Sequence, residues 1–245
     1  MTKHEEIAEI LTEEILSRRF RPGERLPSER DLAARFDANR GAVREAMKKV
    51  AQLGLASIQP GGARVEPIEH ASLDIIGIML QRTPTPEPAL VIDILEAVNS
   101  LVQVAADRVI RNASTEEINS IRALIRPLMH GVHGVHEQLD EAAHTVARME
   151  LFRAIMVTSR QIICQLVAKA LFEQLIPSFA DINRPTAFDS RAFAELMQDL
   201  DDALLQRDRD AARIAFTALD ALNRSSIFAT LNPTEPTPQV VEVSL

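Results

Sequence analysis

The chain has 245 residues, of which 46% are hydrophobic and 25% are charged, and its net charge at pH 7 is −8. This length accommodates one large domain or two ordinary ones with a substantial core. Trp and Tyr are absent and only nine Phe occur, which argues against recognition of single-stranded nucleic acid by base stacking. The single cysteine, Cys164, excludes an intramolecular disulfide. Because it lies in the apolar run IICQLV, a buried, inert thiol is favoured over a redox sensor.

The charge is unevenly distributed along the chain. Residues 1–66 hold 12 Lys and Arg against 11 Asp and Glu, whereas the remainder holds 15 against 24. Residues 18–49 alone hold 10 basic against 5 acidic side chains. Exposed charges are screened beyond about 8–10 Å in physiological salt. A local basic patch on an acidic protein is therefore sufficient for contacts with nucleic-acid phosphates.

The first predicted element is a helix over residues 4–18, with Ile7, Leu11 and Ile15 on its inner stripe. We expect this helix to pack behind the two helices that follow it.

Two short helical patterns abut between residues 28 and 53. The first runs from Ser28 to Phe36 and the second from Arg40 to Leu53, each with apolar residues at helical spacing. Ser28 and Asn39 are suitable N-caps for them. The three residues between the patterns leave room only for a tight turn, so a steep helix crossing is predicted, as in a helix-turn-helix.

The second helix has a polar face with small residues beside two arginines at its N-terminus. Small side chains let the backbone approach a surface, and the guanidinium groups can then reach guanine O6 and N7. The alternative is a solvated basic face of no particular function. The polar face comprises Arg40, Gly41, Ala42, Arg44, Lys48 and Lys49.

Residues 54–65 follow as two short strands around the turn Pro60-Gly61-Gly62, a pattern that predicts a β wing beside the helix pair. Pro67 ends the second strand. We place the first domain boundary directly after it, at residue 68.

Residues 5 to 66 resemble the DNA-binding domain of the GntR superfamily of bacterial transcription regulators. The matching residues are Pro22-Gly23, Leu26-Pro27-Ser28-Glu29-Arg30, Leu32-Ala33, Phe36, Arg40, Val43-Arg44-Glu45-Ala46, Leu53, Gly54-Leu55 and Gly61. The resemblance and the polar face together predict contacts with double-stranded DNA, with the wing tip approaching the minor groove. The predicted DNA-binding residues are Arg30, Asn39, Arg40, Gly41, Ala42, Arg44, Lys48, Gly61 and Gly62.

Helical patterns continue after the wing, and the residues after 231 are rich in Pro and Thr, which predicts a disordered tail. A stiff connector is formed by Pro84, Pro86 and Pro88. The predicted helices cover residues 72–81, 88–111, 115–130, 137–157, 160–178, 188–207 and 209–230.

This helix order resembles the FadR subfamily of GntR regulators, whose C-terminal domain is an antiparallel helical bundle that binds an effector and supplies much of the dimer interface. The local matches are Ala203-Leu204-Leu205-Gln206-Arg207-Asp208 with Ala212, and Glu150-Leu151-Phe152-Arg153-Ala154-Ile155 with Thr158-Ser159. The expected fold is mainly α. It has an N-terminal winged helix-turn-helix domain (1–68), a C-terminal all-α bundle of six to seven helices (69–231) and a tail (232–245).

Most members of that subfamily hold a divalent metal with one Asp and three His. The corresponding positions here are Met149, Arg153, Met197 and Leu219, none of which can replace a carboxylate or an imidazole as ligand. We therefore predict no metal and no other cofactor. In this respect the chain resembles the metal-free branch of the subfamily, whose best-known member binds fatty acyl-CoA.

Arg153 has two readings. It forms a structural ion pair with an acidic residue from another helix, or it replaces the metal and binds the acidic group of an effector through its fork. The predicted effector-binding residues are Arg153, Met149, Met156 and Asn99.

Other site classes are less favoured. His130, His133, His136 and His144 form a rival metal constellation, but Gly131 and Gly134 favour a loop with exposed, unligated histidines. No Gly-rich phosphate loop, nucleophile elbow or HExxH motif occurs, so an enzyme is not expected. No signal peptide and no run near the ~18 apolar residues of a membrane span were recognised.

The resemblance implies a cytoplasmic, homodimeric transcription regulator, most often a repressor. It would bind a palindromic operator under the control of a small-molecule effector, an acyl-CoA or a small carboxylate. The alternative is a DNA-binding protein whose bundle only dimerises and binds no effector.

Overall fold

The computed structural model describes residues 1–129, 141–180 and 189–231. The chain divides into two compact units, Met1–Ile78 and Met79–Leu245, so the first unit extends past the boundary predicted at residue 68. The predicted tail (232–245) lies outside the described residues. So do three of the four histidines of the rival metal constellation, at positions 130, 133 and 136.

The first unit is a winged helix-turn-helix, which confirms the predicted fold. Its third helix packs against the first and the second, and against the first strand. The buried face of this core includes Ile7, Leu11, Leu32, Val43 and Val50. The elements are α1 (Lys3–Leu16), α2 (Glu29–Phe36), α3 (Arg40–Gln52), β1 (Ala56–Gln59) and β2 (Gly62–Val65), followed by a 3-10 turn, Ile68–His70.

Local sequence determines where α2 and α3 begin and where α2 ends. The Ser28 hydroxyl accepts a hydrogen bond from the Asp31 backbone N–H (3.2 Å), and Asn39 Oδ1 accepts one from the Ala42 backbone N–H (2.8 Å). Each bond satisfies an amide that a helix start would otherwise leave without a partner. Asp37 ends α2 in the left-handed region, at φ 47°. The turn between the two helices is thus bounded by Asp37, which ends α2, and by Asn39, which caps α3.

The wing is an antiparallel hairpin with a supporting segment alongside. Ala56 pairs with Val65 at the open end, and Gln59 pairs with Gly62 at the turn. On the other side of β2, the Gly23 backbone N–H donates to the Val65 carbonyl (2.8 Å), and the Leu26 backbone N–H donates to the Ala63 carbonyl (2.9 Å). The segment before α2 therefore holds the wing in place.

The second unit is the predicted all-α bundle. The predicted connector that contains Pro84 and Pro86 ends at Pro88, which is the first residue of the longest helix in this unit. α4 crosses the boundary between the two units. In the described residues the helices are α4 (Ile75–Gln81), α5 (Pro88–Asn112), α6 (Thr115–Ile125), a 3-10 turn (Arg126–Met129), α7 (Glu141–Thr158), α8 (Ile162–Ala180), α9 (Ser190–Gln206) and α10 (Arg209–Leu231).

Helix α5 is the central element of the bundle and packs against α7, α8 and α10. Val91, Ile94, Val98, Val102 and Ala105 are buried along it. This helix is also long and apolar enough to cross a membrane, with a mean hydropathy of 1.6 in its most apolar window. The statement that no stretch is long and apolar enough was therefore wrong. A core helix of a water-soluble protein passes the same test; α5 packs against three helices, and 33% of this window is buried.

Two arginines tie the bundle together. Arg122 on α6 donates from Nε and Nη2 to the two carboxylate oxygens of Asp201 on α9, at 2.8 and 2.7 Å. Arg207, in the left-handed region at φ 54°, donates to the carbonyls of Ile110 and Ala113 at the end of α5 (2.9 and 2.8 Å). Both guanidinium groups join segments about 80 to 100 residues apart in sequence.

Candidate nucleic-acid interface

The exposed face of α3 carries the predicted basic residues. Arg40, Arg44 and Lys48 are exposed at four-residue spacing, whereas Val43 and Met47 are buried on the opposite side. Four-residue spacing places side chains in one row along a helix. The three cations therefore form a basic stripe, defined here as Arg40, Arg44 and Lys48, that points away from the core.

Small residues surround the start of this stripe. Gly41 is exposed and Ala42 is half-buried, so neither shields the first turn of α3. The Asn39 side chain lies beside them, with its oxygen engaged by the Ala42 amide (2.8 Å). In this structure Asn39 thus serves first as a helix cap.

Arg44 is held by a residue that the sequence analysis did not assign to the site. Its Nε and Nη2 donate to the two carboxylate oxygens of Glu29, both at 3.0 Å. The hydrogen bond from Arg44 lowers the pKa of Glu29, and the charge of Arg40 adds to this effect. The same bond raises the pKa of Arg44. Arg30, the next residue of α2, is exposed and lies 3.7 Å from the Asp31 carboxylate.

The tip of the wing is formed by Gly61 and Gly62, both in positive-φ conformations (95° and 135°). The guanidinium group of Arg25 lies against this turn and donates to the Gly61 carbonyl. A Cβ on Gly61 would stand 2.7 Å from Arg25 Nη2. The surface at the wing tip therefore consists of backbone atoms and of the exposed side chain of Arg25, which lies outside the hairpin. Arg25 was not among the predicted DNA-binding residues.

Neither Arg25 nor Glu29 carries a local signal for its role. Arg25 contacts Gly61, which is 36 residues away, and Glu29 contacts Arg44, which is 15 residues away. Both roles therefore depend on the tertiary fold. Pro22, Gly23, Leu26 and Pro27 matched the GntR pattern, but Arg25 between them was not part of that match.

The positions predicted for an effector are spread over the bundle. Arg153 is exposed, Met149 is half-buried and Met156 is buried on α7. Asn99 on α5 donates from Nδ2 to the Phe216 carbonyl of α10 (3.2 Å). Met197 and Leu219, two of the positions that the resemblance to the FadR subfamily related to metal ligands, are both buried.

A different arginine of α7 faces the interior. Arg148 lies with Cζ 4.8 Å from the centre of the Phe193 ring and donates from Nη2 to Asn223 Oδ1 (2.8 Å). Burial lowers the pKa of Arg148 to about 10. The ring of His144, one turn earlier, meets Phe193 edge-on at 5.0 Å, and burial lowers the pKa of this histidine. His144 is thus half-buried among aromatic and basic groups rather than exposed.

An open cleft of about 800 Å³ lies where α5 meets the turn between α9 and α10. Three of the arginines that line this cleft bind neighbouring groups of the bundle. Arg111 and Arg209 both bind Asp107, and Arg207 caps α5. In the described part of the chain, no group of three or more His, Cys, Asp or Glu side chains is placed to hold a metal ion.

Comparison with known proteins agrees with this geometry. Residues 3–65 match the family described as bacterial regulatory proteins, gntR family. The first unit is a GntR-family helix-turn-helix domain. The family is one of transcription regulators rather than enzymes, as the sequence predicted.

Two relatives match part of the chain. The chain is 37% identical over 95 residues to the HTH-type transcriptional regulator Mce2R of Mycobacterium tuberculosis, covering 38% of this chain and 40% of the relative. It is 32% identical over 91 residues to the fatty acid metabolism regulator protein of Pasteurella multocida, covering 36% and 38%. The match thus spans about two fifths of the length of these relatives.

A solved structure extends the likeness in fold to both units. It is described as "Lar controls the expression of the Listeria monocytogenes agr system and mediates virulence", and it covers 96% of this chain and 99% of its own. The TM-score is 0.52 at 14% identity, which supports a shared fold only.

Proposed function

We propose that this protein is a cytoplasmic transcription regulator that binds a palindromic DNA operator as a homodimer and acts as a repressor. The basic stripe on α3 is the observation that carries the proposal. The stripe consists of three exposed cations and begins at a helical turn that has small residues. The opposite face of the same helix is buried in the core.

The stripe fits the major groove. The N-terminal turns of the second helix of a helix-turn-helix contact base edges there, and arginine pairs with guanine O6 and N7. Arg40 and Arg44 supply these contacts, Lys48 and Arg30 bind flanking phosphates, and Asn39, Gly41 and Ala42 form the close backbone approach. The Gly61-Gly62 wing tip meets the adjacent minor groove, where a side chain would clash.

The test begins with a randomised duplex pool from which the wild-type protein selects its site. Replacing Arg44 with Ala is expected to cost about 1–3 kcal/mol on the selected site and to relax preference at one base pair per half-site. Arg191→Ala, which removes an exposed arginine from α9, controls for the loss of one positive charge. Equal affinities and equal base preferences for the two variants would contradict the recognition-helix assignment.

We further propose that the bundle binds an acidic effector, an acyl-CoA or a small carboxylate, which shifts the protein between states of different DNA affinity. The observation that favours this is Arg148, a guanidinium enclosed between Phe193 and Asn223. A planar fork in such surroundings suits a carboxylate or phosphate. Arg153, with Met149, Met156 and Asn99, remains the set expected from sequence.

A thermal-shift screen with acyl-CoAs and short carboxylates tests the effector proposal. A ligand that prefers the native state stabilises it by about 2.7 kcal/mol at a hundredfold excess over Kd. Arg148→Met and Arg153→Met then serve as controls for each other, because both remove one arginine from α7. Loss of the shift in one variant alone identifies the binding arginine. If no compound of either class raises the melting temperature, the bundle serves dimerisation only.

A further inference from the structure

Glu29 and Arg44 form a bidentate pair across the helix-turn-helix. Glu29 is the first residue of α2, directly after the Ser28 cap, and Arg44 lies in the second turn of α3. Two parallel hydrogen bonds of 3.0 Å join them. The Arg44 side chain keeps 61% of its surface exposed and Glu29 keeps 35%. The pair thus stands on the same surface as the basic stripe and is accessible from outside.

The atoms used by Glu29 leave a second fork free. A guanidinium group has five N–H donors, arranged along two usable edges. Glu29 occupies the edge formed by Nε and one proton of Nη2. The other edge, formed by Nη1 and the second proton of Nη2, keeps the spacing that matches guanine O6 and N7. Arg44 can therefore bind Glu29 and a guanine at the same time.

The Glu29 carboxylate also affects non-specific DNA binding. Phosphate contacts dominate non-specific affinity, and an arginine contributes to it in proportion to its free charge. A fixed carboxylate beside Arg44 reduces that contribution and repels phosphates that approach out of register. The lowered pKa of Glu29 keeps the carboxylate ionised at neutral pH.

We propose that Glu29 is a positioning residue that determines specificity: it orients the free edge of Arg44 toward a guanine and disfavours non-cognate phosphate contacts. The inference rests on the proposed DNA-binding function, since it concerns the choice among DNA sequences.

The test compares Glu29→Gln with Glu45→Gln. Glu45 is exposed on α3 and pairs with Lys48 (2.9 Å), so both variants remove one carboxylate from a basic partner in the same domain. Affinities are measured for the site selected by the wild-type protein and for a random-sequence duplex. We expect Glu29→Gln to lower the ratio of these affinities about tenfold, by weakening the selected site and strengthening the random duplex. Glu45→Gln should raise both affinities together and leave the ratio unchanged.

Two further measurements separate positioning from a structural role. On the random duplex, Glu29→Gln should steepen the plot of log K against log salt by about 0.9 per freed arginine. In an Arg44→Ala background, Glu29→Gln should no longer change the affinity ratio, because the residue through which it acts is gone. Glu29→Asp retains the charge but is too short for the bidentate pair, and it should lose specificity as well.

The outcomes distinguish the two claims. If the wild-type protein enriches no sequence, the DNA-binding proposal itself fails. If it enriches a site but Glu29→Gln and Glu45→Gln shift the affinity ratio equally, the role of Glu29 is overturned. A Glu29→Gln effect that persists in the Arg44→Ala background overturns it too.

Discussion

Glu14 is a buried carboxylate at the back of the helix-turn-helix, and the stability of the domain should depend on its charge. Its side chain is 9% exposed, accepts a hydrogen bond from Arg35 Nη1 (2.8 Å) and a second from Nη2, and also pairs with Arg19 (2.6 Å). The hydrogen bonds from Arg35, followed by the charges of Arg35 and Arg19, lower the pKa of Glu14 below its usual 4.5, against the opposing effect of burial.

A lowered pKa in the folded state means that the ionised form stabilises the fold. This contribution is fully present above the usual pKa of 4.5 and is lost as the pH falls through the lower, folded-state value. Glu14→Gln should therefore lower the free energy of unfolding by about 1.5–3 kcal/mol near neutral pH.

Calorimetric unfolding of the full chain at neutral and acidic pH measures the effect of Glu14→Gln. The gap to the wild type should narrow as the pH is lowered below 4.5. Glu9→Gln, an exposed position on the same helix, should change little at either pH. A gap for Glu14→Gln that stays constant or widens on acidification would contradict this account.

At this scale, the sequence revealed the residues whose role is local. Ser28 and Asn39 were recognisable as caps, and each accepts a hydrogen bond from the backbone N–H three residues on. Glu29 and Arg25 were not assigned to the site. Their partners, Arg44 and Gly61, are brought to them only by the folded domain.

The ion pair between Arg122 and Asp201 joins α6 to α9. We expect the removal of one partner to destabilise the fold. The side chains are 15% and 8% exposed. Asp201→Asn would leave a buried guanidinium without its counter-charge, which typically costs about 3–5 kcal/mol. The neighbouring Asp202 is exposed, so Asp202→Asn should cost less than about 0.5 kcal/mol.

Urea denaturation followed by circular dichroism compares these two variants. The double variant Arg122→Met/Asp201→Leu should recover much of the loss, since apolar residues of similar volume replace a buried ion pair at little net cost. Equal destabilisation by Asp201→Asn and Asp202→Asn would show that the ion pair does not hold the two helices together.

Helix α7 illustrates what a sequence pattern leaves open about an element. The local strings located the helix and gave positions 149 and 153 as those of metal ligands in relatives. The helix buries Leu151, Ile155 and Met156 and leaves Arg153 exposed. Rotation of a helix about its axis is decided by the neighbours it packs against, here α5, α6 and α8. The sequence assigned Arg153 of α7 to the effector site, but the arginine of α7 that faces the interior is Arg148.

The architecture of the whole molecule could be predicted mainly from the composition of the chain and from the order of its predicted elements. Periodicity, caps and proline positions predicted the helices of both units to within a few residues where the structure describes them. The units were predictable because each has a self-contained hydrophobic pattern. The length of the first unit was harder to predict, because helix α4 contains residues on both sides of the limit of that unit.

We expect the protein to be a dimer in the absence of DNA. One helix-turn-helix reads only a few base pairs, so useful specificity requires two copies on a two-fold operator. Light scattering at micromolar concentration, without DNA, should give twice the chain mass of 27.1 kDa.

DNA geometry provides an independent measurement of the same assembly. Five base pairs inserted at the centre of the selected palindrome turn one half-site by about half a helical turn relative to the other. A dimer should then lose most of its affinity, down to that of a duplex with a single half-site. A scrambled central sequence of unchanged length controls for the loss of central base contacts. Equal affinity for the intact palindrome, the insertion and the single half-site would show that each chain binds DNA alone.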